Sequence, residues 1–362
     1  MVRSIRNSSM NFSKYYTRDT ILRSIRQFLW NEGFCEVETP LLVPSVIPES
    51  YLDIFTTTLF NRYRKPQKMF LTASPESTLK KLLVEGIGNC FEITRSFRNT
   101  ETDATTHSPE FTILEFYRVN ANYMDIAKDC ERLFQYIYIK SLKRSENNRR
   151  TVQGDGIFQL TYQGKSIDLS SPWIYMSVKD AFEKYTEIPF DQITNKKGKT
   201  VEEMFNVNLI KPFAKKKGYT ISRDNTWEEL FNQFFLNEVE PYISHLEKPV
   251  ILFDYPRPMA ALATVKKEDP RFSERFEIYA GGLEIGDCYN ELRDAKEQEN
   301  RFKFELKEIK RRKKTEVVPD MDFIAALQKG LPKCSGIAIG IDRLVMLFTD
   351  AKEIKEIRFC SF

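Results

Sequence analysis

The chain has 362 residues, 41% hydrophobic and 29% charged, so it is long enough to bury a large core in one big domain or two modest ones. Its 28 Phe and 16 Tyr argue against a disordered protein, and no apolar run reaches the roughly 20 residues that span a bilayer. The six Cys stand singly, the two His leave little material for a His-based metal site, and the net charge of +4 permits an acidic partner without requiring one.

Residues 1–16 carry basic side chains but lack the apolar stretch of a signal peptide, so we expect a short N-terminal extension and a cytoplasmic protein. The next segment predicts an amphipathic helix. Its apolar residues fall on one helical face: Ile21, Leu22, Ile25, Phe28 and Leu29. Gly33 ends this helix, and Pro40 ends the short strand "FCEVETP" that follows.

The middle of the chain predicts a helix, a hairpin and a second helix. "SPESTLKKLLVEG" is typical of a helix with Ser74 as N-cap and Pro75 in the first turn. "NCFEITRSFR" and "PEFTILEFYRV" predict antiparallel strands joined by a long polar loop, and "MDIAKDCERLFQYIYIKSL" predicts a helix. Residues 145–235 are the least readable part, where the Lys-rich stretches "TNKKGKT" and "FAKKKGYT" predict solvated loops or an insertion.

The last third alternates between strands and helices. "KPVILFDYP" predicts a buried strand, and "ERFEIYAGGLEIG" predicts a hairpin turned at Gly281 and Gly282. "DAKEQENRFKFELKEIKRRKK" predicts a long amphipathic helix, and "SGIAIGIDRLVMLF" predicts a strand that runs into a helix. Strands flanked by helices favour an α+β fold with a mostly antiparallel sheet.

Glu115 lies on the apolar face of its predicted strand, together with Phe111, Ile113 and Tyr117. A carboxylate on such a face is costly unless it is paired or faces a ligand. Two interpretations therefore stay open. Glu115 forms a buried structural ion pair, or Glu115 and Tyr117 hold a cationic group of a ligand.

The hairpin at Gly281 raises the same problem. With a two-residue turn, Tyr279 faces Glu284, and Glu277 shares the face of Glu284. Two carboxylates on one face repel each other unless a positive charge lies between them. Mg²⁺ takes such oxygen ligands together with substrate phosphates, whereas the alternative is two surface carboxylates on a solvated sheet.

Three further polar residues follow on the second strand of this hairpin. Asp287, Tyr289 and Glu291 share a face with one another but not with Glu284. A β-bulge near Gly286 would bring both sets into one site.

Two Arg complete the pattern. Arg98 ends a strand before the polar loop, and Arg343 begins a helix after "GIAIGID". Gly336 and Gly340 would let a planar ligand approach the backbone closely. Each Arg alone is more often a surface residue. Together with paired acids they suggest a nucleoside triphosphate held by Arg and Mg²⁺, because the guanidinium fork binds phosphate well.

The chain resembles the class II aminoacyl-tRNA synthetases in three motifs. "GFCEVETPLL" is similar to motif 1, "FRNTETDATTHSPEFTILEFY" to motif 2 and "GIAIGIDRLVMLF" to motif 3. The elements "HSPEFT", "LEFY" and "ERFEIY" are most similar to lysyl-tRNA synthetases. The resemblance covers nearly the whole chain. It implies one catalytic domain over residues 17–362, with a six-stranded antiparallel sheet flanked by helices and a homodimer formed through motif 1.

Within lysyl-tRNA synthetases an anticodon-binding OB domain precedes motif 1, and the motif 1 helix here begins near residue 17. We therefore expect no such domain, and the chain resembles the stand-alone elongation factor P–(R)-β-lysine ligase family. That family attaches lysine or β-lysine to a lysine side chain of elongation factor P, which implies this protein rather than tRNA as acceptor. Ser74 and Ala338 match positions that line the amino-acid pocket in that family.

The resemblance implies an ATP site. Arg98 would bind the α-phosphate and the amino-acid carboxylate, and Arg343 would bind the γ-phosphate end, so both are predicted catalytic residues. The implied ATP-binding set is Arg98, Asn99, Glu101, His107, Phe111, Glu277, Glu284, Gly340 and Arg343, of which Glu277 and Glu284 would hold Mg²⁺.

It also implies an amino-acid pocket. Glu115, Tyr117 and Glu291 would recognise the side-chain amine, and Glu76 the other amine. The implied pocket set is Ser74, Glu76, Glu115, Tyr117, Asp287, Tyr289, Glu291 and Ala338. Asp287 stands where both kinds of relative have Asn, and near a substrate carboxylate an Asp repels unless Mg²⁺ or a proton compensates.

Two alternatives remain. The first is a minimal lysyl-tRNA synthetase, for which the basic stretches 195–199, 211–217 and 309–314 are candidate RNA contacts, although charge runs are usually solvated faces. The second is a non-catalytic regulatory module on the same fold. The presence of both Arg and both Mg²⁺-binding Glu residues speaks against the second.

Overall fold

The structure, a computed structural model, describes residues 12–99, 105–145 and 158–358. Glu101, predicted to contact ATP, lies outside these ranges. Within them, no helix is both long and apolar enough to cross a membrane.

Thirteen strands occur in the described part of the chain. They are β1 Cys35–Glu36, β2 Leu42–Val43, β3 Thr56–Phe60, β4 Pro66–Leu71, β5 Cys90–Phe97, β6 Glu110–Val119, β7 Gln159–Tyr162, β8 Lys165–Asp168, β9 Ile174–Ser177, β10 Val250–Pro256, β11 Phe272–Ala280, β12 Leu283–Asn290 and β13 Cys334–Gly340.

Twelve α-helices accompany these strands in the same ranges. They are α1 Ser13–Asn31, α2 Glu76–Val84, α3 Tyr123–Ser145, α4 Val178–Thr186, α5 Phe190–Ile193, α6 Val201–Met204, α7 Val207–Lys216, α8 Trp227–Phe234, α9 Glu240–Ile243, α10 Ala295–Arg311, α11 Met321–Gly330 and α12 Ile341–Thr349. A π-helical turn, Phe235–Val239, joins α8 to α9.

The main sheet has eight strands in the order β1-β5-β6-β13-β12-β11-β10-β9. Its six inner strands are antiparallel, as predicted, whereas β1 and β9 run parallel to their neighbours at the two edges. The α+β class is confirmed, and the expected number of six strands is corrected to eight. The edge strands span only two and four residues, too few for alternation to reveal them.

The predicted face of α1 is buried. Ile21, Ile25, Phe28 and Leu29 pack, together with α3 and α12, against one face of the main sheet, and Leu22 is partly buried beside them. The apolar residues of β6 on that face, such as Leu114 and Phe116, join the same core. The opposite face of the sheet is therefore left for the polar residues of the same strands.

Residues 158–243 form short strands and helices rather than the predicted loops. Residues 211–217 fall mostly in α7, whose N-cap Asn206 accepts a hydrogen bond from the backbone N–H of Asn208, while 195–199 remain in a loop. Phe182, Phe231 and Trp227 fill a second core beneath these helices. Helices of four to ten residues give too few turns for their periodicity to stand out in the sequence.

Candidate functional site

A cavity of about 1170 Å³ opens on the face of the main sheet that α1 and α3 leave free. All predicted site residues but two line it: Ser74, Glu76, Arg98, His107, Phe111, Glu115, Tyr117, Glu277, Glu284, Asp287, Tyr289, Glu291, Ala338, Gly340 and Arg343. Asn99 does not line it and donates its backbone N–H to the carbonyl of Asp53 at 2.8 Å. Glu101 is outside the described residues.

Strand alternation explains why polar residues meet in this cavity. On β6, Leu114 and Phe116 point into the apolar core, so Glu115 and Tyr117 point to the cavity. Ala338 of β13 lies directly opposite Glu115 in the sheet. The alternation of side chains along β6 therefore places its apolar residues in the core and its polar residues in the cavity.

A β-bulge in the β11–β12 hairpin joins the two sets of acids. Tyr279 pairs with Glu284 as predicted, and Ile278 pairs with Gly286, so Ile285 is the extra residue. The sequence predicted a bulge near Gly286, because without it Glu284 and Asp287 would point to opposite faces of the sheet. Because of it, Glu284 and Asp287 both face the cavity.

Glu115 is buried at the floor of the cavity. Its carboxylate accepts hydrogen bonds from Ser74 Oγ and Tyr117 Oη, both at 2.6 Å. Burial and the neighbouring charge of Glu76 raise the pKa of Glu115 to about 8. The charged form of Glu115 therefore lacks a full counter-charge in the cavity.

Lys80, which the sequence analysis missed, ion-pairs with both Glu76 and Glu291 and is 1% exposed. Burial opposes its charge, but Glu291 and Glu76 outweigh burial and raise the pKa of Lys80. Burial also raises the pKa of Glu291, to about 8, against the lowering effect of Lys80. The sequence offered one sign of this contact: Glu76 and Lys80 are four residues apart, so they lie on the same side of a helix and can pair.

The helix α2 that carries this pair begins at Glu76, later than the predicted N-cap at Ser74. Ser74 Oγ still accepts a hydrogen bond from the backbone N–H of Glu76 at 3.0 Å. The same hydroxyl donates to Glu115, so Ser74 links the start of α2 to the floor of the cavity.

Binding of a diammonium ligand should release protons. Carboxyls with a raised pKa hold protons at pH values where a solvated carboxyl has lost them, and a neighbouring ammonium lowers their pKa again. We therefore expect a diammonium compound that binds at pH 7 to release protons and to bind more tightly as pH rises toward about 8. Calorimetry in buffers of different ionisation enthalpy measures the release; proton uptake would contradict this picture.

Glu277 is held from three sides. Its carboxylate accepts hydrogen bonds from Tyr255 Oη at 2.5 Å, Tyr279 Oη at 2.6 Å and Arg275 Nη2 at 2.5 Å. Burial and the charge of Glu284 raise the pKa of Glu277 to about 7, although Arg275 lowers it. Its position is thus fixed while its charge remains only partly compensated.

The guanidinium of Arg275 compensates Asp287. Arg275 Nε and Nη2 donate to the two carboxylate oxygens of Asp287 at 2.9 and 3.0 Å, and Tyr289 Oη donates to Asp287 at 2.6 Å. Arg275 therefore reduces the expected repulsion between Asp287 and a substrate carboxylate, for which the sequence suggested only Mg²⁺ or a proton. Arg275 was missed, although it shares the face of Glu277 two residues away.

The two predicted catalytic Arg approach the cavity from different elements. The guanidinium of Arg98 lies 5.2 Å from the ring centre of Phe111. Arg343 donates from Nη1 to the carbonyl of Glu284 at 2.8 Å, and its Nη2 lies 2.6 Å from His107 Nε2. Helix α12 is thereby joined to both the polar loop and the β12 strand.

Residues 2–361 match the family of tRNA synthetases class II (D, K and N). The chain belongs to this family. Lysine–tRNA ligases of Psychrobacter sp. (strain PRwf-1), Moorella thermoacetica and Carboxydothermus hydrogenoformans are 35%, 34% and 32% identical to it, in each case over 95% of this chain. The chain spans 61 to 64% of the length of these curated relatives.

Glu277 and Glu284 fit the Mg²⁺ that the class II synthetase resemblance implies. They face the cavity from neighbouring strands, and the side chain of Glu284 is 44% exposed toward it. In the described ranges, no group of three or more acidic, His or Cys side chains forms a metal site. Mg²⁺ commonly binds one or two carboxylates together with substrate phosphates, so this pair suits an ion that arrives with the nucleotide.

Gly336 makes room for two side chains of the site. A Cβ at Gly336 would lie 2.2 Å from the Tyr117 ring and 2.8 Å from Glu291, so a larger residue there would displace them. A Cβ at Gly340 would meet Ile285 O only at 3.7 Å. Both glycines line the cavity, so a close approach of a ligand to their backbone stays a prediction.

Gly336→Ala should therefore lower the free energy of unfolding by about 1–3 kcal/mol, because the added methyl displaces Tyr117. Gly340→Ala is the matched control on the same strand, and its cost should stay below about 1 kcal/mol. Urea denaturation of both variants measures the difference. Equal stabilities would show that Tyr117 moves without cost.

Proposed function

We propose that this protein activates lysine or β-lysine with ATP and Mg²⁺ as an aminoacyl-adenylate. The observation that carries the proposal is one cavity lined by three buried carboxylates together with two Arg and two further Glu: Glu76, Glu115, Glu291, Arg98, Arg343, Glu277 and Glu284. Its family membership supports the same chemistry.

The charges of the pocket favour a substrate with two ammonium groups. Glu76, Glu115 and Glu291 are buried, and Lys80 is the cation that pairs with two of them. When all three carboxyls are ionised, these four groups leave two negative charges without a counter-charge among them. Lysine and β-lysine each supply two ammonium groups, so either substrate compensates these charges.

The reaction needs no protein nucleophile. A carboxylate oxygen of the amino acid attacks the α-phosphorus of ATP in line, a new O–P bond forms, and the bond to the pyrophosphate oxygen breaks. Arg98 orients the two reacting groups and stabilises the charge on the α-phosphate, while Arg343 holds the pyrophosphate end. Mg²⁺, held by Glu277 and Glu284, neutralises phosphate charge when it is bound.

For the acceptor we propose a lysine side chain of elongation factor P. Its ε-amine would attack the adenylate carbonyl, form an amide and release AMP. The support is the resemblance at Ser74 and Ala338, and both residues contact or pair with Glu115 at the pocket floor. The methyl of Ala338 also lies between Glu115 and Asp287, its partners on the two neighbouring strands.

Transfer to tRNA is the second candidate. The observation that favours it is that the relatives matching 95% of this chain are lysine–tRNA ligases. The adenylate-forming step is the same for both acceptors.

An acceptor competition tests the proposal. The protein is mixed with ATP, Mg²⁺ and labelled lysine in the presence of both elongation factor P and total tRNA, and the products are separated by size and by nuclease treatment. Nuclease-resistant label on elongation factor P supports the first acceptor. Label on tRNA replaces it with the second, and the absence of both label and pyrophosphate contradicts amino-acid activation.

A further inference from the structure

The loop at residues 49–52, between β2 and β3, forms one wall of the cavity. Glu49, Ser50, Tyr51 and Leu52 all line it. Neither periodicity nor the family motifs singled out this loop in the sequence. It thus brings an acid and a phenol to the site that the proposed function does not use.

The loop is fixed from several directions. Ser50 donates its backbone N–H to Glu305 of α10 at 2.6 Å, and Lys314 Nζ donates to the carbonyl of Tyr51 at 2.6 Å. Asp53 accepts from the backbone N–H of Asn99, next to Arg98. Ser50 and Leu52 are buried, whereas Glu49 is half-buried and Tyr51 is 57% exposed at the mouth of the cavity. Because its backbone is held in this way, the loop can place Glu49 with the accuracy that recognition requires.

Glu49 occupies a different position in the pocket from Glu115. Tyr51 Oη donates a hydrogen bond to Glu49, and the charged neighbours of Glu49 include Glu76 and Arg98. Glu115 shares Glu76 as a neighbour but lies near Lys80 instead of Arg98. Burial, followed by the charge of Glu76, raises the pKa of Glu49 to about 7, so its charged form lacks a full counter-charge.

The proposed function places the substrate carboxylate at Arg98. The amino group nearest that carboxylate then lies at the Arg98 end of the pocket, where Glu49 is. Glu76 alone is a weak partner for this amine, because its carboxylate already holds Lys80. Glu49 has Tyr51 as its hydrogen-bond donor and retains acceptor capacity on its carboxylate.

We propose that Glu49, oriented by Tyr51, binds the amino group nearest the carboxylate of the activated amino acid and so selects between α- and β-amino acids. This inference rests on the proposed function. Moving that amine by one carbon changes its position by about 1.5 Å, which exceeds the spread of hydrogen-bond lengths. A carboxylate on a fixed loop therefore suits one of the two isomers.

Substrate analogues that lack one amine test this assignment. The protein and its Glu49→Gln variant are compared in lysine-dependent ATP–pyrophosphate exchange, with 6-aminohexanoate, which lacks the α-amine, as a competitive inhibitor. Glu49→Gln should raise the KM for lysine about 10- to 100-fold, because a charge-assisted hydrogen bond is lost. The inhibition constant of 6-aminohexanoate should stay within about 2-fold, which also shows that the pocket is folded.

Glu115→Gln provides the opposite pattern. It should weaken lysine and 6-aminohexanoate together and leave inhibition by 2-aminohexanoate, which lacks the ε-amine, within about 2-fold. Tyr51→Phe should act like Glu49→Gln but raise the KM for lysine less than 10-fold, because only the orienting hydrogen bond is removed. The ratio of KM values for lysine and β-lysine should change in Glu49→Gln and not in Glu115→Gln.

Two results would overturn the inference: an unchanged KM for lysine in Glu49→Gln, or an equal weakening of lysine and 6-aminohexanoate. If the unaltered protein shows no exchange, the proposed function fails on its own. Calorimetric binding of lysine and 6-aminohexanoate without ATP then decides the role of Glu49. Selective loss of lysine binding in Glu49→Gln supports it, and equal binding by both proteins rejects it.

Discussion

Arg98→Ala should lower the rate of lysine-dependent ATP–pyrophosphate exchange by about 100- to 1000-fold, the usual cost of removing one donor to a transition-state oxyanion. Arg98 lines the cavity beside Phe111, and its charge lowers the pKa of Glu49 at the proposed carboxylate end. In the proposed reaction, its loss removes the group that would align the amino-acid carboxylate with the α-phosphate. The KM for lysine should rise as well, because the same group binds the substrate in its ground state.

Arg95→Ala is the matched control, since it removes the same kind of side chain from strand β5, which ends at Phe97 directly before Arg98. The side chain of Arg95 is 47% exposed and lies 3.6 Å from Glu110, outside the cavity. Its exchange rate should stay within about 2-fold of the unaltered protein. A similar loss in both variants would mean that strand β5 is disturbed and that Arg98 has no special role.

Lys80→Met should lower the free energy of unfolding by about 3–5 kcal/mol, the cost of leaving buried acids without their cation. Lys80 is 1% exposed and pairs with both Glu76 and Glu291, and the side chain of Glu291 is equally buried. Methionine fills most of the same volume, so the lost charge causes the effect. Guanidinium denaturation at pH 8 measures it.

Lys81→Met is the control for the preceding variant, on the same helix. Lys81 pairs with Asp320 at 2.6 Å, but 30% of its side chain is exposed, so its removal should cost about 1 kcal/mol or less.

Adding Glu76→Gln and Glu291→Gln to Lys80→Met should restore part of the lost stability. If Lys80→Met costs no more than Lys81→Met, the ion pairs do not hold the pocket together.

The sequence predicted the polar face of the sheet because alternation has a period of two. Glu115 on an apolar strand indicated either a buried ion pair or a ligand site. The two-residue turn placed Tyr279 opposite Glu284, as the structure confirms. The bulge was also predictable, since without it Asp287 and Glu284 face opposite sides. Local patterns were sufficient wherever regular strands fixed the direction of the side chains.

Contacts between distant segments were not predictable in this way. Lys80 is visible as a partner of Glu76 one helical turn away, but nothing in the sequence brings Glu291 to the same ammonium. Glu49 lies in an irregular loop that has no period. The contact of Gly336 with the Tyr117 ring was also not predictable, because a glycine shows that space is needed without showing which side chain fills it.

The contact between Asp287 and Arg275, which is twelve residues away in the chain, changes the interpretation of Asp287. As an isolated acid it was expected to repel a substrate carboxylate. Paired with Arg275, it becomes one arm of a network that also holds Glu277. When both acids are ionised, they and the guanidinium leave a single negative charge, which suits the proposed Mg²⁺.

Lysine-dependent ATP–pyrophosphate exchange, measured in parallel with lysine, β-lysine and 2-aminohexanoate, tests amino-acid activation most directly. Because two negative charges in the pocket need two ammonium groups, we expect exchange with lysine or β-lysine at least about 100-fold faster than with 2-aminohexanoate. Exchange with 2-aminohexanoate at the same rate, or exchange with none of the three, would contradict the assignment of Glu115 and Glu291 and with it the proposed reaction.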